Sequence, residues 1–295
     1  MPEYEPYGLN CVEHGRIGIQ PQIIMASTHD YINSNRDAWD RAAGTYADEV
    51  AQDIAFLRDG GVSLLEPERR LLGDLSDVQM AIHLQCSHGR DALSLLNLGA
   101  ASVVGIDIST AMLAQARQKS EALGAAARWM ESEVLAVPHT LDGTADLVYT
   151  GQGALPWVSD LQAWAQVVMR LLRPGGRLLI YEGHPLSQLW DTEATTHRLK
   201  ADGRGYFDVH PRANEDFPAA ATARYTPEGE AVPTAWEWVW PLGAVVTAVA
   251  EVGLRIERLE EHPQPFWNQF PNMSPEALAR LPHCYALLAR KVEGR

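Results

Sequence analysis

Positive charge is what this chain lacks most: Lys and Arg number 24 against 38 Asp and Glu, a formal net charge of −14 over 295 residues. So acidic a surface repels phosphate backbones and anionic headgroups, which argues against nucleic acid or a membrane as the main partner. Cysteine is scarce as well. Cys11, Cys86 and Cys284 are three in number and widely spaced, so they offer no disulfide framework and fit a reducing, cytoplasmic setting. No apolar run approaches the roughly 20 residues needed to cross a bilayer. The first 24 residues lack the charged-then-apolar order of a signal peptide and show no period; they read as a loose extension, with Met25 a second natural start. The remaining balance, 46% hydrophobic and 21% charged, is ordinary for a packed globular protein.

From Asn33 onward, Trp39, Ala43, Tyr46, Val50, Ile54 and Leu57 fall at steps of three and four. That is one apolar helix face, with Ser34 or Asn35 as cap and Gly60-Gly61 as stop. A connection over residues 66–73 follows, and then strands and helices alternate. Strands are predicted at 79–84, 102–107, 127–130, 145–150 and 176–182. Helices are predicted at 89–99, at 109–124 with Ser109 as N-cap and Gly124 past its end, and at 159–172, closed by a turn at "RPGG". Such alternation implies a parallel sheet with right-handed crossovers. Residues 183–240, rich in Pro, aromatics and charge, have no sustained period and suit a lid over a site. A helix at 242–254 and strands at 255–261 and 283–292 complete the chain. The expected plan is an extension (1–24), a helical cap (25–75), a core (76–182), a lid insertion (183–240) and a closing segment (241–295).

Glycine is missing where such a sheet usually keeps it. In "AIHLQCSHGRDAL" (81–93) the loop after the first core strand holds one glycine, crowded by His83, Cys86 and His88. Three readings compete. A zinc site wants a fourth ligand, and no second Cys/His cluster lies nearby. A nucleophilic Cys86 wants a partnered base and an oxyanion hole, and the loop carries no nucleophile-elbow pattern. The third reading is a cofactor loop that has lost its glycines, with Cys86 a small apolar residue packed below the ligand. Ligands of doubly wound sheets bind outside the strands' carboxyl ends, where Asp107, Glu133, residues 149–153 and residues 182–185 also fall. Asp107 suits the two hydroxyls of an unphosphorylated ribose, or else simply caps the next helix.

At these stations the chain resembles the class I S-adenosylmethionine-dependent methyltransferases. "HLQCSHG" stands in the register of their acid-and-glycine first motif, with His83 for the acid, Gln85 and Ser87 for two glycines, and Gly89 kept; this early-glycine loss is associated with a bacterial HLQC-type subgroup. "GIDIS" resembles the ribose motif and "WMESEV" the adenine motif, while "ADLVYTGQGALPWVSDL" and "LLRPGGRLLI" resemble the fourth and fifth strand motifs. The resemblance implies an α/β, Rossmann-like, doubly wound, mostly parallel seven-stranded sheet with its last strand antiparallel. It also implies S-adenosylmethionine as cofactor and S-adenosylhomocysteine as product. Its cofactor contacts would be Gln85, Cys86, Gly89, Asp107, Ile108, Met112, Glu133, Val134 and Thr150. Glu133 has the rival reading of a solvated acid beside Glu131 and Asp142. Trp39 and Tyr46 are core by pattern, yet a sulfonium favours aromatic faces, so both join the cofactor contacts.

Loss of the first-motif acid leaves the cofactor's ammonium needing another acceptor, backbone carbonyls or the Gln85 amide. Gln85 and Ser87 either sit at ordinary dihedrals or tolerate strain. The expected activity is methyl transfer to a small aromatic or hydrophobic acceptor at O, N or C. His184 and then Tyr149 are the candidate bases, with His210 and His262 behind them. Trp236, Trp238 and Trp240 alternate, which turns one aromatic face to a pocket or packs it under the lid. No metal is expected, and the chain would act as a monomer or homodimer. Rival readings are a fold-keeping module that binds without turnover, and a nicotinamide oxidoreductase, which would need the Gly-x-Gly-x-x-Gly loop absent here.

Overall fold

In the computed structural model the described residues are 27–201 and 205–293, so the extension expected at 1–24 lies outside them. The cap begins with α1 (Thr28–Ala42), which Ser27 caps together with the Asp30 side chain. The Ser34 and Asn35 caps expected from sequence are corrected: both side chains turn outward to the backbone at Thr234 and Trp236. The single long helix is corrected too. A 3-10 stretch at Ala43–Glu49 separates α1 from α2 (Val50–Arg58). Gly44 lies in that break with the Tyr225 ring pressed against it, so close that a Cβ would stand 2.5 Å from the ring. The "connection" at 66–73 is helix α3 (Glu66–Leu72), with Pro67 in its first turn, where a missing N–H costs nothing.

The core follows the alternation. Its elements are β1 (Ala81–Leu84), α4 (Arg90–Asn97), β2 (Val103–Asp107), α5 (Thr110–Leu123), β3 (Ala127–Glu131), β4 (Ala145–Gly151), α6 (Leu161–Leu171) and β5 (Leu172–Gly183). Ser109 caps α5 and Gly124 ends it in the left-handed region, as its sequence predicts. The "RPGG" turn is instead absorbed into β5: Leu172 pairs with Ala145 and Arg177 with Leu147, so the Pro-Gly-Gly residues bulge out of register. In the insertion, β6 (Arg212–Ala213) and β7 (Trp236–Glu237) form a two-stranded ribbon around α7 (Ala219–Tyr225). The chain closes with α8 (Leu242–Glu251), β8 (Leu254–His262), the short α9 (Pro275–Leu278) and β9 (Cys284–Lys291).

The seven strands run β3-β2-β1-β4-β5-β9-β8, all parallel except β9, which is antiparallel to both neighbours. Reversal of strand order at β1 and β4 opens the crevice at their carboxyl ends. One core face packs α6 and α8 against the sheet through Trp164, Val168, Val245 and Val249; the other packs Leu72, Leu95, Leu113 and Tyr149. Among the described residues, no helix is long and apolar enough to cross a membrane.

Candidate functional site

A cavity of about 880 Å³ opens over the carboxyl ends of the parallel strands, roofed by α1 and the insertion. Asp107, the last residue of β2, lines it. Its Oδ2 accepts the Ser87 N–H at 2.7 Å and its Oδ1 the Ser109 N–H at 2.9 Å. Burial pushes this carboxyl up to about 6 against those two donors. Asp107 therefore braces the start of the next helix, as one of its two expected readings has it, and also faces the cavity. Glu133 also lines the cavity, and the Leu135 N–H donates to it at 2.9 Å; burial raises its pKa.

The glycine-poor loop keeps the shape that glycines would give it. Gln85 stands at φ 57° and Ser87 at φ 50°, the left-handed region that L-residues occupy at a cost of roughly 1–2 kcal/mol each. The strained alternative is thus the observed one. Three contacts hold it: Ser87 N–H on Asp107, Cys86 N–H on the Ile106 carbonyl at 2.9 Å, and Gln85 Nε2 on the Ala154 carbonyl at 2.9 Å. Cys86 is buried, and burial pushes its thiol well above the ordinary range, which suits packing rather than nucleophilic work. His83, Cys86 and His88 diverge in their partners. His83 leans on Tyr149 at 4.6 Å, while His88 meets Lys119. Among the described residues no group of three His, Cys, Asp or Glu side chains converges as a ligand set.

The expected residues divide at the cavity wall. Trp39, Tyr46, Gln85, Cys86, Asp107, Ile108, Glu133, Val134 and His184 line it; Gly89, Met112, Thr150 and Tyr149 do not. Gly89 serves packing, because a Cβ there would stand 2.6 Å from that of Ala116. Met112 and Thr150 are fully buried. Tyr149 is enclosed beneath the wall and donates its hydroxyl to Glu68, which burial pushes up to about 8. His184 faces the cavity with Nδ1 accepting the Leu186 N–H at 3.2 Å. In the neutral ring the proton therefore sits on Nε2, 3.0 Å from Glu261 without hydrogen-bond alignment; burial lowers its pKa. His210 is exposed beside Asp208, and neither it nor His262 reaches the cavity. Trp238 and Trp240 line it, whereas Trp236 packs edge-on to Tyr31 at 5.1 Å.

Sequence reasoning placed Glu182 at a strand end, within 182–185, without giving it a role, and passed over Asp91. Glu182 closes β5, lines the cavity and accepts the Gly153, Ala154 and Leu155 N–H groups; burial pushes it up to about 7. The signal was present, an acid ending a core strand. Asp91 lies in the first turn of α4, accepts a hydrogen bond from the Ser63 hydroxyl and lines the same wall.

The wall suits S-adenosylmethionine. Asp107 would hold the ribose with its carboxylate, and Trp39 and Tyr46 would turn aromatic faces to a sulfonium. An ammonium would meet Gln85 Oε1, which is buried on this wall without a hydrogen-bond partner among the described residues, and the carboxylate of Asp91.

Comparison with known proteins agrees. Residues 81–176 match the family profile described as a methyltransferase domain. Over 85 residues, 29% of this chain and 38% of the relative, it is 40% identical to the demethylmenaquinone methyltransferase of Thermus thermophilus. Over 111 residues, 38% of this chain and 33% of the relative, it is 37% identical to malonyl-[acyl-carrier protein] O-methyltransferase 1 of Coxiella burnetii. The chain thus spans only about a third of the length of the curated relatives it matches. A candidate S-adenosylmethionine-dependent methyltransferase of Listeria monocytogenes superposes with a TM-score of 0.57 at 18% identity, covering 76% of this chain and 96% of the other. An S-adenosylmethionine-dependent methyltransferase of Mesorhizobium loti gives 0.54 at 21% identity, covering 75% and 94%. The fold is the Rossmann-like one of these S-adenosylmethionine-dependent methyltransferases, and residues 81–176 are the part that matches the methyltransferase-domain profile.

Proposed function

We propose that this chain transfers a methyl group from S-adenosylmethionine to a small, aromatic or hydrophobic acceptor held in the same cavity. The observation that carries the reading is the shared wall: Asp107 and Glu133 from the strand ends face one space with Trp157, Trp238, Trp240, Phe266 and Trp267. Bound there, the cofactor supplies an electrophilic methyl on a sulfonium. The protein's part is to hold the acceptor about 3 Å from that carbon and in line with its bond to sulfur. Aromatic faces on α1, on the insertion and at 266–267 exclude water and bind a planar acceptor.

The two curated relatives carry different acceptors in their names, demethylmenaquinone and malonyl-acyl-carrier protein, so the acceptor is read from this chain's own wall. An alcohol, phenol or amine must lose its proton during transfer. Glu182, near 7, and His184 are cavity-facing groups at the end of β5 that can take it. Both already accept backbone N–H groups, His184 from Leu186 and Glu182 from Gly153, Ala154 and Leu155, so either loosens such a bond when it takes the proton. Tyr149 sits outside the wall and holds Glu68 instead. The setting proposed is cytoplasmic, with the chain a monomer or homodimer.

Titration calorimetry with S-adenosylmethionine and S-adenosylhomocysteine tests the reading. Saturable heat with both is expected. No heat and no thermal shift at millimolar ligand overturns it.

A further inference from the structure

We propose that His88, locked by the buried Lys119 as the neutral Nε2–H tautomer, donates that N–H to the carboxylate of the cofactor's amino acid end. The inference rests on the S-adenosylmethionine reading above and deepens it with a residue that the motif resemblance leaves without a role.

The tautomer follows from a count of protons. Lys119 is completely buried, and its Nζ has three neighbours: Asp53 Oδ2 at 2.7 Å, the His88 carbonyl oxygen at 3.0 Å and His88 Nδ1 at 2.5 Å. An ammonium has three donors and no acceptor, so the third neighbour must offer a lone pair. Asp53 Oδ2 also lies 3.6 Å from Nδ1, beyond hydrogen-bond reach, so Nδ1 stays bare and the one proton of a neutral imidazole stands on Nε2. Burial, helped by the charges of Lys119 and Arg90, holds the ring neutral, with a pKa down at about 3. Tyr46 stacks on the ring at 4.1 Å and 22°, which covers one of its faces. Nε2 makes no hydrogen bond to protein among the described residues, and His88 lines the cavity.

Placement and charge agree. Asp107 ends β2 and Glu133 lies two residues past β3, so a cofactor with its adenosine there runs its amino acid end towards the β1 loop and the start of α4. His88 lies in that loop, between Gln85 and Asp91, the acceptors for the ammonium. Behind it, Lys119 and Arg90 share the single carboxylate of Asp53, at 2.7 and 3.2 Å. In this acidic chain that cation pair favours an incoming carboxylate at His88.

The test titrates wild type, His88→Leu and His88→Gln with S-adenosylhomocysteine and with 5′-methylthioadenosine, which keeps the adenosine and sulfur but lacks the amino acid end. His88→Leu is expected to lose about 10- to 100-fold in affinity for S-adenosylhomocysteine, the worth of a hydrogen bond to a charged group, and nothing for methylthioadenosine. His88→Gln recovers part of the loss. Nitrogen NMR of the wild-type protein at pH 7 is expected to show the Nε2–H form of His88, with that proton shifted by S-adenosylhomocysteine and not by methylthioadenosine. The NMR decides alone if His88→Leu does not fold. Equal weakening of both ligands, no weakening of either, or an Nδ1–H ring overturns the assignment. Wild type binding neither ligand overturns the cofactor reading itself.

Discussion

The backbone N–H of Ser87 donates to Oδ2 of Asp107 at 2.7 Å, which straps the loop after β1 to the end of β2. One carboxylate thus fixes the loop's unusual backbone and faces the cavity at the same time.

Asp107→Ala is expected to weaken S-adenosylhomocysteine binding about 10- to 100-fold and to lower the thermal midpoint, because two buried N–H groups lose their acceptor along with the ribose. Asp107→Asn, which keeps one oxygen, loses less on both counts. Calorimetry and thermal melts of the two variants separate these outcomes from unchanged affinity, which would remove Asp107 from the ribose.

The same residue sets a pH dependence. Its ionised form is the better acceptor for ribose hydroxyls, and its pKa in the ligand-free protein is raised from 3.8 to about 6. Affinity for S-adenosylhomocysteine is therefore expected to be full above about 7 and to fall as pH drops through 6. Titrations from pH 8 to 5 read this directly, and a flat profile contradicts it.

Ser87→Gly is expected to stabilise the protein by about 1 kcal/mol in urea denaturation, because glycine occupies φ 50° without strain. Gln85→Gly relieves similar strain but deletes the bond to Ala154, so its net change is expected near zero, with weakened cofactor binding. Destabilisation by Ser87→Gly would show that the loop is not strained.

Glu68 controls stability at alkaline pH. Its pKa is raised from 4.5 to about 8, first by burial, so its contribution is fully present below 4.5 and is lost as pH rises through 8. Wild type is expected to lose stability between pH 7 and 9 by about 1 kcal/mol, and Glu68→Gln to flatten that slope while leaving Tyr149 an acceptor. Chemical denaturation across the range checks both curves.

Asn35 joins the cap to the insertion by pairing both ways with the backbone of Trp236, Nδ2 to the carbonyl at 2.8 Å and Oδ1 from the N–H at 2.6 Å. Asn35→Ala is expected to cost about 2 kcal/mol of stability and to raise acceptor KM more than cofactor Kd. Equal effects on both constants would mean that this seam does not shape the acceptor end.

The alternating core could be read from sequence because its elements obey local rules: buried runs of four to six residues in β1, β2, β4 and β5, Ser109 and Gly124 at the ends of α5, Asp107 closing a strand. What escaped depends on distant partners. Asn35 looks like a helix cap until the strand at Trp236 arrives, 201 residues away, and takes its amide. Tyr149 sits at a strand end as a base would, yet the parity of β4 turns it under the wall to Glu68. Likewise no pattern around Lys119 announces that its side chain ends on His88.

Strand β9 separates β8 from the rest of the sheet, and it lies later in the chain than both its neighbours. During synthesis β8 therefore leaves the ribosome with its pairing partner β9 still unmade, and the Tyr181 edge of β5 waits open beside it. Closure of that half of the sheet is a late, non-local event, favoured by a slow or chaperoned passage through the half-built state. The charged side chains Arg255, Glu257, Arg258, Glu260 and Glu261 along β8 make the waiting strand a poor apolar edge for another chain.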